Sequence, residues 1–153
     1  MTILAFTRPD SWNWALLLHV AGAMILVGGL VTAGGASLLA KRDGTGVLTR
    51  FSYKALLVVA LPGFILMRAG AAWIYDKEGY TGDNDPSWLG IGFTTADGGA
   101  VLFLIALVLG GVGLRRARRG EGGDRLLRAS GVIALVLLAA YVVTVWAMAG
   151  KPD

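Results

Sequence analysis

Four residues able to do acid–base, ionic or ligating chemistry stand inside long apolar runs of this 153-residue chain: His19, Arg68, Asp97 and Tyr141. His19 is the only histidine and lies in "NWALLLHVAGAMILVGG". An imidazole can titrate near neutrality, hydrogen-bond through either nitrogen or ligate a metal, and a phenol both donates and accepts. Charged side chains at membrane depth are costly, so they usually face the protein interior and find one another. The expected pair is Arg68 with Asp97, because either alone would be expensive there. His19 would then bond to Asp97, to Tyr141 or to a ligand. Thr32, Ser37 and Thr144 are weaker polar members of the same spans.

Depth follows from the tryptophans. His19, Arg68 and Tyr141 each lie roughly 7–8 Å below a tryptophan of their own segment, Trp14, Trp73 and Trp146, at 1.5 Å rise per residue. Asp97 is placed near the start of its segment. Each span therefore contributes one polar group to a similar layer, and the four together form a candidate ligand-binding site. The same residues admit a purely structural account: Arg68 snorkels to the headgroups, Asp97 caps its helix, and His19 is a hydrogen-bonded core residue.

The elements that must position these residues are membrane helices. Hydrophobic residues make up 56% of the chain, above the roughly 45–50% of soluble domains. Four apolar segments approach or exceed the ~20 residues that cross a bilayer core of about 30 Å. Strands are excluded, because the segments lack barrel alternation and lipid leaves open edges unsatisfied. The expected fold is all-α: a single domain over 1–153, a bundle of four antiparallel transmembrane helices at about 12–40, 52–75, 95–114 and 127–149. The opening residues lack a basic leader and an evident cleavage site, so the first span is expected to be retained.

Charge sets the expected orientation. Lys41, Arg42, Arg50 and Lys54 join the first two helices, and Arg115, Arg116, Arg118, Arg119, Arg125 and Arg128 join the last two. The intervening connection, 76–95, is acidic, with Asp76, Glu78, Asp83 and Asp85 against Lys77. Basic connections stay cytoplasmic, which puts both termini and the acidic connection outside. Trp12, Trp14, Trp73, Trp88 and Trp146 gather at that same outer side. The arginines are read as topology signals facing anionic headgroups and not as a nucleic-acid surface. The expected location is a bacterial inner membrane.

Local signals refine the layout. Asp10 or Ser11 can cap the first helix. Gly22, Gly29 and Ala33 share a face with His19 and offer close approach to a neighbouring helix within the bundle. Pro62 and Gly63 predict a kink midway along the second helix. "GDNDPSW" is read as a solvated acidic turn, since it lacks calcium-loop spacing. With no cysteine, disulfides and thiolate metal sites are excluded, and no metal site is expected. No phosphate-cradling loop, Ser/His/Asp arrangement or paired membrane carboxylates are present.

"LLHVAGAMILVGGL" resembles the first-helix signature of a group of small bacterial membrane proteins. The group comprises uncharacterised four-helix families, the copper-resistance D-type proteins and the J-type protoporphyrinogen oxidases. "VWAMAGKPD" resembles the last-helix ending of the uncharacterised four-helix members. The resemblance implies haem as a cofactor, with His19 at the axial position. This chain departs from the haem-binding relatives in having no second histidine, so a methionine (Met24, Met67 or Met148) would have to complete the pair. Met67 stands out because it adjoins Arg68, which could meet a propionate.

Four functions stay open at this level. One is a binding protein with an outward-facing polar site for haem or another small ligand. A second is a membrane oxidoreductase of the porphyrinogen or quinone-linked type. The others are a small transporter working as a homo-oligomer and an accessory subunit of a larger membrane complex.

Overall fold

The computed structural model describes residues 13–43, 46–80, 82 and 87–150. Asp10, Ser11, Trp12 and most of the acidic turn lie outside the described residues, as do the side chains of Trp88 and Met148. The described chain is helical, with α1 at Asn13–Asp43, α2 at Val47–Ala55, α3 at Leu61–Glu78, α4 at Ser87–Arg118 and α5 at Asp124–Gly150. A π-helical turn, Leu56–Ala60, fuses α2 to α3. Four helices are long and apolar enough to cross a membrane: Asn13–Ala40, Val47–Glu78, Leu89–Arg118 and Asp124–Ala147. The protein is a multi-pass integral membrane protein, and its helices run antiparallel. One end carries the start of α1 and the end of α5, and the other carries the arginine-rich turn.

The expected helix bounds are too short at most helix ends: α1 runs on to Asp43, α2 begins at Val47, α4 ends at Arg118 and α5 begins at Asp124. α3 continues to Glu78, and α4 begins at Ser87 rather than near residue 95. Apolar composition marks the part of a helix that meets lipid, whereas the helix itself continues into the interface. The long acidic connection thus shortens to residues 79–86. Gly79 closes α3 in the left-handed conformation, φ 70, with its N–H donating to the Asp76 carbonyl.

The proline leaves a local mark. Pro62 has no N–H to give to the carbonyl one turn earlier, and its ring crowds that carbonyl. The turn before it widens, and the Leu61 N–H donates to Leu56, five residues back. Where the sequence predicts a kink, the structure has a π turn on the α2 side of Pro62.

Packing is uneven. α1 lies along α3 and α4 along α5, with α1 also crossing α5, whereas α3 and α4 make little backbone contact. The α1–α3 seam is built on glycines. Gly22 abuts the Met67 backbone, Gly63 the Leu26 backbone and Gly70 the His19 backbone, and a Cβ on Gly29 would lie 2.6 Å from the Ala60 nitrogen. Lipid supplies no hydrophobic drive to join helices, so close backbone contact through small residues takes its place. The face of α1 bearing Gly22, Gly29 and the fully buried Ala33 is therefore an interior seam.

Below this, Leu26, Leu30, Leu56, Phe103 and Leu137 fill the core. Two serines tie helices toward the basic end. Ser52 donates to the Ala33 carbonyl at 2.7 Å and Ser130 to the Ala106 carbonyl at 2.8 Å, both buried.

Candidate functional site

Because α3 and α4 scarcely touch through their backbones, side chains span the gap. Phe64 stacks on Phe103 with ring centroids 5.7 Å apart. Farther from the arginine-rich turn, Arg68 Nη2 meets Asp97 Oδ1 at 2.9 Å. Last, Tyr75 meets Phe93 edge-on with centroids 5.2 Å apart. Beside these bridges lies a cavity of about 430 Å³, walled by α1, α3, α4 and α5. His19, Met67, Arg68 and Tyr141 all line it. Most of the remaining wall is apolar, including Leu26, Ile74, Phe93 and Val145.

The polar residues expected to converge do so, with two differences. Asp97 pairs with Arg68 but is itself 66% exposed and lies outside the cavity wall. Moreover, α4 starts well before it, roughly 15 Å away at 1.5 Å per residue, so Asp97 sits within the helix and cannot cap it. The ion pair instead joins α3 to α4 where the backbones separate.

His19 differs as well. Its hydrogen bond goes neither to Asp97 nor to Tyr141: Nδ1 lies 3.0 Å from the Met67 carbonyl oxygen. A carbonyl can only accept, so Nδ1 is the donor of this bond. This bond holds the ring against α3, and the glycine at position 70 gives the α1 backbone room to come close enough. Nε2 has no hydrogen-bond partner among the described residues. The half-buried imidazole lines the cavity with that nitrogen uncommitted.

Tyr141 is only 4% exposed, and its hydroxyl is the one buried side-chain polar atom among the described residues without a partner. The hydroxyl fits beside Gly99 of α4, where a Cβ would come within 2.9 Å of it. The weaker polar residues have other duties. Thr32 and Thr144 bond back to their own helices, at Gly28 and Ala140, and Ser37 is buried near Gly131.

Sequence reasoning missed the aromatic members of this site, Tyr75 and Phe93, and the bridge Phe64–Phe103. The available signal was weak, since aromatic residues near span ends read equally well as interface anchors. No group of three or more His, Asp or Glu side chains is placed to hold a metal ion among the described residues.

Haem can be tested against these contacts. A ligating histidine typically donates its second nitrogen to a carbonyl, as His19 does. Met67 does not complete the pair. Its own carbonyl holds Nδ1, so Nε2 points to the far side of the ring from the Met67 backbone. A sulfur opposite Nε2 would have to reach past both the ring and the iron, beyond the length of the side chain. Arg68, the residue expected to meet a propionate, is engaged by Asp97. The residues fit haem on one side only. Comparison with protein-family models, with curated proteins and with solved structures finds no match to this chain.

Proposed function

We propose that this protein binds a small lipid-soluble molecule in the cavity framed by α1, α3, α4 and α5, with His19 contacting it through Nε2. One observation carries the reading. The only histidine in the chain is fixed by its Nδ1 bond to Met67 on the wall of an apolar cavity of about 430 Å³, and its second nitrogen has no protein partner among the described residues. That volume falls within the ~300–1,000 Å³ usual for small-molecule sites, as does a mostly apolar wall with a few placed polar groups. The sequence resemblance to uncharacterised four-helix bacterial membrane proteins belongs to the same proposal, as does placement in a bacterial inner membrane with the cavity facing out.

The test is chemical. Protein purified in mild detergent is extracted with organic solvent, and the extract is compared with bulk lipid by mass spectrometry and visible absorbance. The reading expects one molecule enriched with the wild-type chain and depleted from Ala71→Trp, which places an indole in the cavity. Equal extracts from both would contradict it. A haem absorbance lost in His19→Ala would replace the proposal with the haem alternative.

A further inference from the structure

The turn between α4 and α5 gathers charge that its neighbours do not balance. Gly113 of α4 and Gly123 ahead of α5 meet through their backbones, so that a Cβ on Gly113 would lie 2.9 Å from the Gly123 carbonyl oxygen. Gly122 and Gly123 hold φ of 83 and 122, conformations that favour glycine. This contact sets the start of α5 against the last turns of α4. Arg116, just under a turn beyond Gly113, thereby shares a hollow of about 550 Å³ with Arg125 and Arg128 of α5.

The three arginines are exposed, and none has an ion-pair or hydrogen-bond partner for its side chain among the described residues. Asp124 is the one carboxylate of the wall, and its Oδ1 leans toward Gly46 ahead of α2, 3.7 Å from where a Cβ there would stand. The hollow thus carries a surplus of positive charge, three arginines against one aspartate. Guanidinium does not lose its charge, and like charges one turn apart on a helix, as Arg125 and Arg128 are, oppose its folding. An anion among them removes that penalty.

Place narrows the anion. Arg116 falls at the end of the span Leu89–Arg118, and Arg125 and Arg128 at the start of the span Asp124–Ala147, where the phosphates of a bilayer lie. Leu126 adds an apolar surface to the same wall. We propose that this hollow is a discrete site for a doubly anionic phospholipid head, two phosphodiesters joined by a short linker, held by Arg116, Arg125 and Arg128. The surplus charge matches two phosphates, and the forked donors of arginine suit phosphate oxygens. Basic pockets between membrane helices bind heads of this kind. The general attraction of basic residues for anionic headgroups depends on charge alone, whereas this site depends on which arginines carry it.

The experiment separates the two. Full-length protein, stripped of lipid by exchange into fresh detergent, is titrated with cardiolipin, phosphatidylglycerol or inorganic pyrophosphate, and bound species are counted by native mass spectrometry. One cardiolipin per chain is expected, held about fivefold or more tighter than either other probe, the worth of one further charge contact. Arg116→Gln should weaken it about fivefold, and Arg125→Gln with Arg128→Gln about thirtyfold. Arg118→Gln with Arg119→Gln removes the same charge from the same end but outside the hollow, and should leave cardiolipin binding within about threefold of wild type. All of these arginines are exposed, so the variants should keep the wild-type thermal midpoint. Equal losses in the two double variants would show diffuse attraction and overturn the site. Phosphatidylglycerol binding as tightly as cardiolipin would overturn the paired-phosphate head, and pyrophosphate doing so would make the ligand a soluble anion instead of a lipid.

Discussion

His19 Nδ1 lies 3.0 Å from the carbonyl oxygen of Met67, so the imidazole clamps α1 to α3 with one nitrogen and leaves the other free of protein partners. The two nitrogens can be separated by substitution. An asparagine amide places an N–H near the position of Nδ1, whereas a glutamine amide reaches the position of Nε2. His19→Asn should keep the fold within about 1 kcal/mol of wild type, the worth of one hydrogen bond, yet lose at least tenfold in retention of the bound molecule. His19→Gln should retain more of the molecule at some cost in thermal stability. Full retention by His19→Asn would reduce the histidine to a helix clamp.

The ion pair between Arg68 and Asp97 closes the gap where α3 and α4 part. A double-mutant cycle with Arg68→Leu and Asp97→Ala should give a coupling of about 1 kcal/mol, the upper end for partly exposed pairs, because water is scarce at this depth. Additive losses would show that the two side chains act independently and that Arg68 is held by headgroups instead.

Glycines of α1 and α3 are expected to behave oppositely according to what they face. A Cβ on Gly63 would collide with the Leu26 backbone, so Gly63→Ala should force α1 from α3 and cost about 1–3 kcal/mol. Gly28 and Gly35 meet nothing within 4 Å, and alanine there should be neutral or stabilising by up to about 1 kcal/mol through helix propensity. Thermal unfolding in detergent separates the two sets. Equal effects would mean that the α1–α3 seam is looser than described.

Much of this arrangement was legible before any coordinates. The spans follow from length and apolarity, and the Arg68–Asp97 pairing follows from the cost of isolated charges in lipid. Helix ends were not legible in the same way: the segment from Ser87 to Thr95 is helical, but its two glycines, its serine and its paired threonines resemble a loop. Ser52 and Ser130 also escaped notice, since a helix hides which hydroxyls face a neighbour's carbonyl. The histidine's true partner could not be read either. The Met67 carbonyl is a backbone atom, and any residue type would supply one.

Orientation remains a prediction from the basic connections. Glu121, exposed in the turn between α4 and α5, is a better reporter than Gly120, whose φ of 72 disfavours a side chain. Glu121→Cys in the naturally cysteine-free chain should react with an impermeant maleimide only after the membrane is opened. Labelling in intact cells would place the basic end outside.

The central claim is that the cavity holds a discrete molecule, and native mass spectrometry of the purified chain reads this most directly. Wild-type protein released from detergent should carry one defined added mass. Ala71→Trp should appear as the bare chain, and Ala23→Phe, which narrows the cavity from α1, should do the same should the tryptophan variant misfold. A bare wild-type chain, or the same added mass on folded Ala71→Trp or Ala23→Phe, would contradict the account.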